Sequence, residues 1–439
     1  MRYLRGMSEI FARACLVCLG VCFWGCATAA RTEVVAHVQG GQYGAAVARY
    51  EREGKPRSVL QALSESLLMQ AAQSADPEQQ RAAFVELTLL GTLAKPLLES
   101  LTSADRAPLV RAQALRLSLV LGDEDARAPL RELSSSADPK VVDAAYAALD
   151  PDGDWPLLLD ALRAARKERR AAALASVSRS ARAGNEDREL RARQRQALSE
   201  VARFDPEPQL RAAALSALAR HGVEALSAFE AGVQDADADV RSAALRGMLG
   251  LDPERARTLL DQQLGAAVSS ESIDAAIALA ALSPAREPER AWSLLAAALV
   301  SPDASLRARA AGSLQLVPER VRDVAFLRTR LEAEPSRSVR LSLALALGNA
   351  DPKAVQALVG LSESADLTGA EAAAELAPRD EQARKRLRAL TSHTTLLVRA
   401  TAARLIAREL HESDPLVKLL ADASWQVRSA AAGAVLSVL

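Results

Sequence analysis

The residues best suited to metal ligation or nucleophilic chemistry are four histidines and four cysteines, and their spacing supports neither role. His37, His221, His393 and His411 are scattered, and none forms an i, i+4 pair that could hold a metal on one helix face. Cys15, Cys18, Cys22 and Cys26 all lie within the first 26 residues, so the rest of the chain has no thiol for a disulfide framework or a Cys-metal site. No glycine-rich phosphate loop and no nucleophile elbow occurs. Carboxylates are abundant, but their spacing nominates no catalytic pair. The sequence therefore gives no catalytic residue, no metal ligand and no cofactor.

One segment has a distinct charge. Between Arg163 and Arg203 there are twelve Lys/Arg against five Asp/Glu, while the whole chain balances at 55 and 55. Arg163, Arg166, Lys167, Arg169 and Arg170 precede a turn at Gly184-Asn185, and Arg188, Arg191, Arg193 and Arg195 follow it. As a binding patch they would meet an acidic protein, anionic headgroups or a polyanionic glycan; the alternative is a solvated helix face. Nucleic acid is not expected, because a net charge of zero and a pI near 6.9 lack the positive excess of such binders.

The elements that must position these residues follow from a repeated dipeptide. An aliphatic residue followed by Arg recurs at Val110-Arg111, Leu210-Arg211, Val240-Arg241, Leu306-Arg307, Val339-Arg340, Val398-Arg399 and Val427-Arg428, with intervals of 30, 33 and 29 between several neighbours. Degenerate copies are headed by Arg81, Val142, Arg170, Ile273 and Gly369, giving twelve anchors with one long interval between 170 and 210. Self-similarity at this period implies stacked repeats, and insertions in such arrays tend to map to one face. Within a copy the period is helical: Val398, Ala402, Leu405 and Ile406 fall on one face, as do Val339, Leu343, Ala346 and Leu347. Asp-Pro occurs seven times, at Asp76, Asp138, Asp150, Asp205, Asp252, Asp351 and Asp414, and most of these should open helices. Gly122, Gly222, Gly250 and Gly348 are placed to end them. Two helices per period make an all-α chain of about twelve helix pairs.

The acidic loop followed by an aliphatic-Arg helix start, in "DADADVRSAALRGML", "SPDASLRARAAGSL" and "ADASWQVRSAAAGAV", resembles the HEAT-repeat family. The likeness is to its short bacterial form, also found in phycobilisome lyases. It implies a right-handed α-α superhelix which, at about 8–10 Å per helix layer, would span on the order of 100 Å along its axis. It also implies that Arg111, Arg211, Arg241, Arg307, Arg340, Arg399 and Arg428 form a structural ladder with loop acids, Asp239 and Asp303 being candidate rungs. No acid precedes Arg399 in "SHTTLLVR", so that rung stays open.

Residues 14–30 carry no charge and stand between Arg13 and Arg31, the pattern of an export signal. "FWGC" resembles a bacterial lipoprotein processing site, which implies lipidation of Cys26. Ala27-Thr28-Ala29 also offers small-residue cleavage before Ala30, and an uncleaved anchor is a third reading, although seventeen residues are short for a membrane span. The organisation is thus a signal over 1–29, a helical cap over 30–75 and a solenoid over 76–439 with a basic insertion at about 163–203. The apolar C-terminal "VRSAAAGAVLSVL" is either covered by the preceding helix or free for docking or dimerisation. The function expected is a non-enzymatic, protein-binding scaffold of the bacterial envelope. It would be lipid-anchored and face the periplasm or exterior, or else be soluble in the periplasm or secreted. An enzyme or enzyme subunit acting on an envelope substrate is the alternative.

Overall fold

Aspartate starts many of the helices. Asp76 accepts the Glu78 N–H at 2.9 Å, Asp138 that of Lys140 at 2.8 Å and Asp303 that of Ser305 at 2.8 Å, each supplying an acceptor that the first helical turn lacks. Asp252 and Asp351 open helices in the same way, at Pro253 and Pro352. Gly348 leaves its helix at φ 79°, a left-handed conformation that a side chain would strain. Gly250 differs from its expected role: it lies inside a helix that runs on to Leu251, with Asp252 as its C-cap.

The computed structural model describes residues 28–178, 188–264, 272–274, 276–277, 279, 288–318 and 322–439. Residues 1–27, Cys26 and most of the expected signal included, lie outside them. In chain order the helices are α1 (28–39), α2 (Tyr43–Arg52), α3 (Arg57–Ala72), α4 (Pro77–Leu90), α5 (Lys95–Leu101), α6 (Pro108–Val120), α7 (Arg127–Leu133), α8 (Pro139–Tyr146), α9 (Trp155–Leu162), α10 (Lys167–Val177), α11 (Arg188–Phe204) and α12 (Pro208–Leu218). They continue as α13 (Leu226–Gly232), α14 (Ala238–Leu251), α15 (Pro253–Leu264), α16 (Pro288–Ala298), α17 (Ala304–Ser313), α18 (Val324–Ala333), α19 (Arg337–Leu347), α20 (Pro352–Ser362), α21 (Leu367–Leu376), α22 (Glu381–Ala389), α23 (Leu396–Leu410) and α24 (Trp425–Val438). A 3₁₀ segment, Asp414–Ala421, stands where the first helix of the last pair would be. Among the described residues there is no strand. The fold is all-α and built of helix pairs, each anchor dipeptide lying in the second helix of its pair.

Small residues let these second helices approach closely. On α23 the expected face (Val398, Ala402, Leu405, Ile406) is buried, together with Ala400, Ala403 and Ala407. A Cβ added at Gly232 would come within 2.9 Å of both Ala244 Cβ and Leu215 Cδ1, so α13 needs glycine to lie between α12 and α14.

The chain divides into two compact units. One comprises the residues up to Val110 together with Ser362–Leu439, and the other comprises Arg111–Leu361. In the first unit the last repeat finds its next neighbour in the first helices of the chain. The Asp414–Ala421 segment packs on α2, and α24 packs on α3 and α4 as well as on α23. The apolar C-terminus is therefore not an open end, and the cover comes from both the preceding helix and the N-terminal helices. In the second unit α8, α10, α12 and α14 pack in series, as do α17 and α19.

Candidate protein-docking groove

A repeating arginine device sets the geometry of the turns. Arg170 donates through Nη1 to the carbonyls of Ala164 and Ala165, both at 2.9 Å, and grips Asp205 with Nε at 2.7 Å and Nη2 at 3.1 Å. Arg211 treats Asp205 O and Asp235 in the same way, with both carboxylate bonds at 2.8 Å. Arg307 pairs with Glu334 at 2.9 and 3.0 Å, and Arg399 with Asp422 at 2.7 and 2.8 Å. A helical side chain leans toward its own N-terminus, so one edge of each guanidinium caps the turn before it while the other faces the next repeat. The partner acid thus comes from the following turn. Asp303 caps α17, Asp237 caps α14, and the acids that pair in these two regions are Glu334 and Asp235. The acid absent before Arg399 is Asp422, 23 positions after it.

The remaining ladder arginines vary. Arg241 donates to Asp235 O at 2.9 Å and Ala236 O at 2.8 Å. Arg340 Nε is buried without a hydrogen-bond partner, and Arg111 lies on α6. Arg428 caps the carbonyls of Asp422 and Ala423 and stacks over the Tyr43 ring at 4.0 Å, so an aromatic on α2 stands where a further acid would be. Near the start of the repeats the buried Gln80 donates to Ala72 O at 3.3 Å, while the neighbouring anchor Arg81 is exposed.

The basic residues are spread over three helices and are largely paired. Arg163 ends α9 and reaches Glu200 at 3.5 Å; Arg166 and Arg169 share Asp143 at 2.8 and 2.6 Å, and Arg169 also lies 4.6 Å from the Tyr146 ring centre. Arg170 is the grip on Asp205 described above. Arg193 pairs with Glu189 and Arg195 with Glu224. Lys167 and Arg188 are exposed and, among the described residues, have no carboxylate partner; Arg191 is half-buried on α11. The turn at Gly184-Asn185 lies outside the described residues. From beyond the segment, Asp143, Asp205 and Glu224 answer three of the seven charges by which twelve basic residues exceed five acidic ones. The pKa of His221 is lowered, by burial first and then by Arg195 and Arg191, with Glu224 opposing.

Beside these charges lies an apolar recess that the sequence did not nominate. Leu159 and Leu162 of α9 face Ala197 and Val201 of α11 across a cavity of about 290 Å³. The Arg170–Asp205 pair and Pro206 line it, Arg163 and Glu200 stand at its rim, and Phe204 lies at its edge. Asp205 is held inward by Arg170, which fixes the end of α11 and leaves Phe204 78% exposed. The residues immediately before the other paired acids are Gln234, Ala333 and Ala421, so the aromatic is peculiar to this repeat. That register was the available signal, but it becomes legible only once the acids are known to pair backwards.

Among the described residues no group of three or more His, Cys, Asp or Glu could hold a metal ion, and no helix is long and apolar enough to cross a membrane. Compared with known families and with curated proteins, the sequence matches none. Similar solved structures include an engineered protein at 20% identity, covering 85% of this chain and 98% of that one with a TM-score of 0.27. Kap95p with RanGDP matches at 13% identity, covering 90% and 58% with a TM-score of 0.38, and Kap95 with Nup1 at 12%, covering 86% and 59%, also at 0.38. The chain spans somewhat under three-fifths of the Kap95 chains it matches.

Proposed function

We propose that this chain is a non-enzymatic, protein-binding scaffold, tethered through a lipid on Cys26 to a bacterial envelope membrane and facing the periplasm or exterior. The observation that carries the binding role is Phe204, a 78% exposed aromatic at the edge of a recess lined by Leu159, Leu162 and Val201. Large aromatics at the edge of an apolar pocket are the usual anchors of protein interfaces, where a few such residues supply most of the affinity. The stack supports the role by tying several turns to the next through the Arg170, Arg211, Arg307 and Arg399 pairs, so a partner meets a preformed surface. The tether is supported by the uncharged run at 14–30 and by Gly25-Cys26.

A photo-crosslinking amino acid at position 204, in the full-length protein in a bacterium, tests the binding role. A discrete protein adduct at 204, absent when the probe sits at the exposed Val300, supports it; no adduct at 204 removes its basis. The intact mass of the mature protein tests the tether. A chain starting at an acylated Cys26 supports it, a chain starting at Ala30 makes the scaffold a soluble envelope protein, and an unprocessed chain that stays in the soluble cytoplasmic fraction ends the envelope assignment.

A further inference from the structure

We infer that the end of the first unit at which residue 28 lies is a membrane-contact face, with Leu89 and Leu93 entering the headgroup layer of an envelope bilayer. This rests on the tether at Cys26 and names the face of the protein that the tether brings down. Residue 28 already belongs to α1 and is two positions from Cys26, so their Cα atoms are at most about 7 Å apart. Two residues of chain reach no further, and a lipid on Cys26 would therefore hold the start of α1 at the headgroups.

Helix direction fixes what shares that end. Gln70 donates to Val38 O at 2.9 Å and accepts from Tyr43 OH at 3.0 Å, and Gln80 donates to Ala72 O at 3.3 Å. The turns at 40–42 and 73–76 therefore lie together, and α1 to α4 alternate in direction. Residue 28, the turn at 53–56 and the 3₁₀ segment Gly91–Ala94 after α4 come to the opposite end. Leu93 lies in that segment, 60% exposed, and Leu89 stands one turn before it on α4, 66% exposed. Arg31, Lys55, Arg57 and Lys95 are exposed at the same end. Glu51 and Asp414 stand near it too: the pKa of Tyr50 is raised by burial first and then by these two acids. Charge is thus mixed here, and what suits a bilayer is the pair of leucines, which leave water on entering the headgroup layer.

The test uses the lipidated protein in phosphatidylcholine liposomes that carry a nitroxide lipid, with an environment-sensitive dye on a single introduced cysteine. The dye goes on Thr92→Cys, between the two leucines in sequence, or on Ala75→Cys in the exposed turn at the other end. Emission from 92 should shift to the blue and be quenched by the nitroxide, emission from 75 should do neither, and added salt should change little. Leu89→Ser with Leu93→Ser should return the dye at 92 to the emission seen at 75. The thermal midpoint should stay where it is, because both leucines are exposed. An acylated protein whose dye is as water-exposed at 92 as at 75, or is quenched equally at both, overturns the inference and leaves the tether standing. So does quenching at 92 that survives the loss of both leucines. The intact mass of the same sample separates the two readings: an unacylated chain removes the tether and the membrane face together.

Discussion

Glu86 and Arg404 are 318 positions apart, yet Arg404 Nε donates to Glu86 Oε1 at 3.1 Å. Glu86 belongs to α4 and Arg404 to α23, within the unit shared by the two ends of the chain. The Glu86 side chain is 3% exposed, and its second oxygen would lie 2.7 Å from a Cβ built on Gly433 of α24. A carboxylate from the start of the repeats thus fills a space that only glycine leaves open at their end.

Gly433→Ala should therefore destabilise the protein by about 1–3 kcal/mol, the usual range for overpacking. Glu86→Ala in the same chain should recover much of that loss. Urea denaturation of the single and double variants measures the coupling, and strictly additive losses would show that the two positions do not meet.

The same approach predicts a covalent link. A Cβ on Gly433 would stand 3.1 Å from Glu86 Cβ, a few tenths of an ångström shorter than the range of disulfide-bonded cysteines, a gap that a small outward shift of the helices closes. A chain starting at Ala30 has no other thiol, so Glu86→Cys with Gly433→Cys should oxidise to one intramolecular disulfide. Intact mass with and without reductant reads it directly. Two free thiols after oxidation would place α4 away from α24.

The arginine grips should dominate the response to mutation in Arg111–Leu361. Arg307 and Glu334 have side chains 9% and 1% exposed, so Glu334→Ala leaves a buried guanidinium without its anion and should cost about 3 kcal/mol. Arg307→Met with Glu334→Ala should cost less than Glu334→Ala alone. Thermal denaturation of the set checks the order, and a larger loss in the double variant would mean that the charges are not the source.

Acid should act in opposite directions at two kinds of carboxyl. At Asp235 the Arg211 hydrogen bond holds the pKa below its ordinary value. At Glu334 and Asp422 burial pushes upward, but Arg307 and Arg399 together with backbone N–H donors outweigh it and leave both lowered. A lowered folded pKa gives stability that is present above the unfolded value, about 4, and is lost as pH falls through the folded one. Glu86 is raised, by burial that Arg404 only partly offsets, so its contribution is present below about 4.3 and fades as pH rises through its folded value. Stability should fall below about pH 4, and Glu86→Gln should gain on the unmutated protein as pH rises from 4 to 8. Denaturation midpoints at both pH values test this; a Glu86→Gln variant that loses stability relative to the unmutated protein between pH 4 and 8 would contradict the sign.

The repeats were legible in the sequence because their causes are local. A 3.6-residue apolar period, an aspartate able to accept the first free N–H groups and an aliphatic-Arg start act within a few residues, so Val398, Ala402, Leu405 and Ile406 could be placed on one buried face without a structure. Local pattern was insufficient where a residue's partner is remote. Asp303 looked like the rung for Arg307 through proximity in sequence, whereas it caps its own helix and Arg307, leaning back over its own turn, grips Glu334 in a neighbouring repeat. For the same reason the basic run between Arg163 and Arg203 could be counted but not read, because Asp143, Asp205 and Glu224, which answer part of it, come from other turns. Phe204 had no distinguishing pattern until Asp205 was seen to be held inward. The meeting of the two chain ends, in Glu86 with Arg404 and Tyr43 with Arg428, follows from where the stack brings its last helices; no periodicity within a repeat encodes that position.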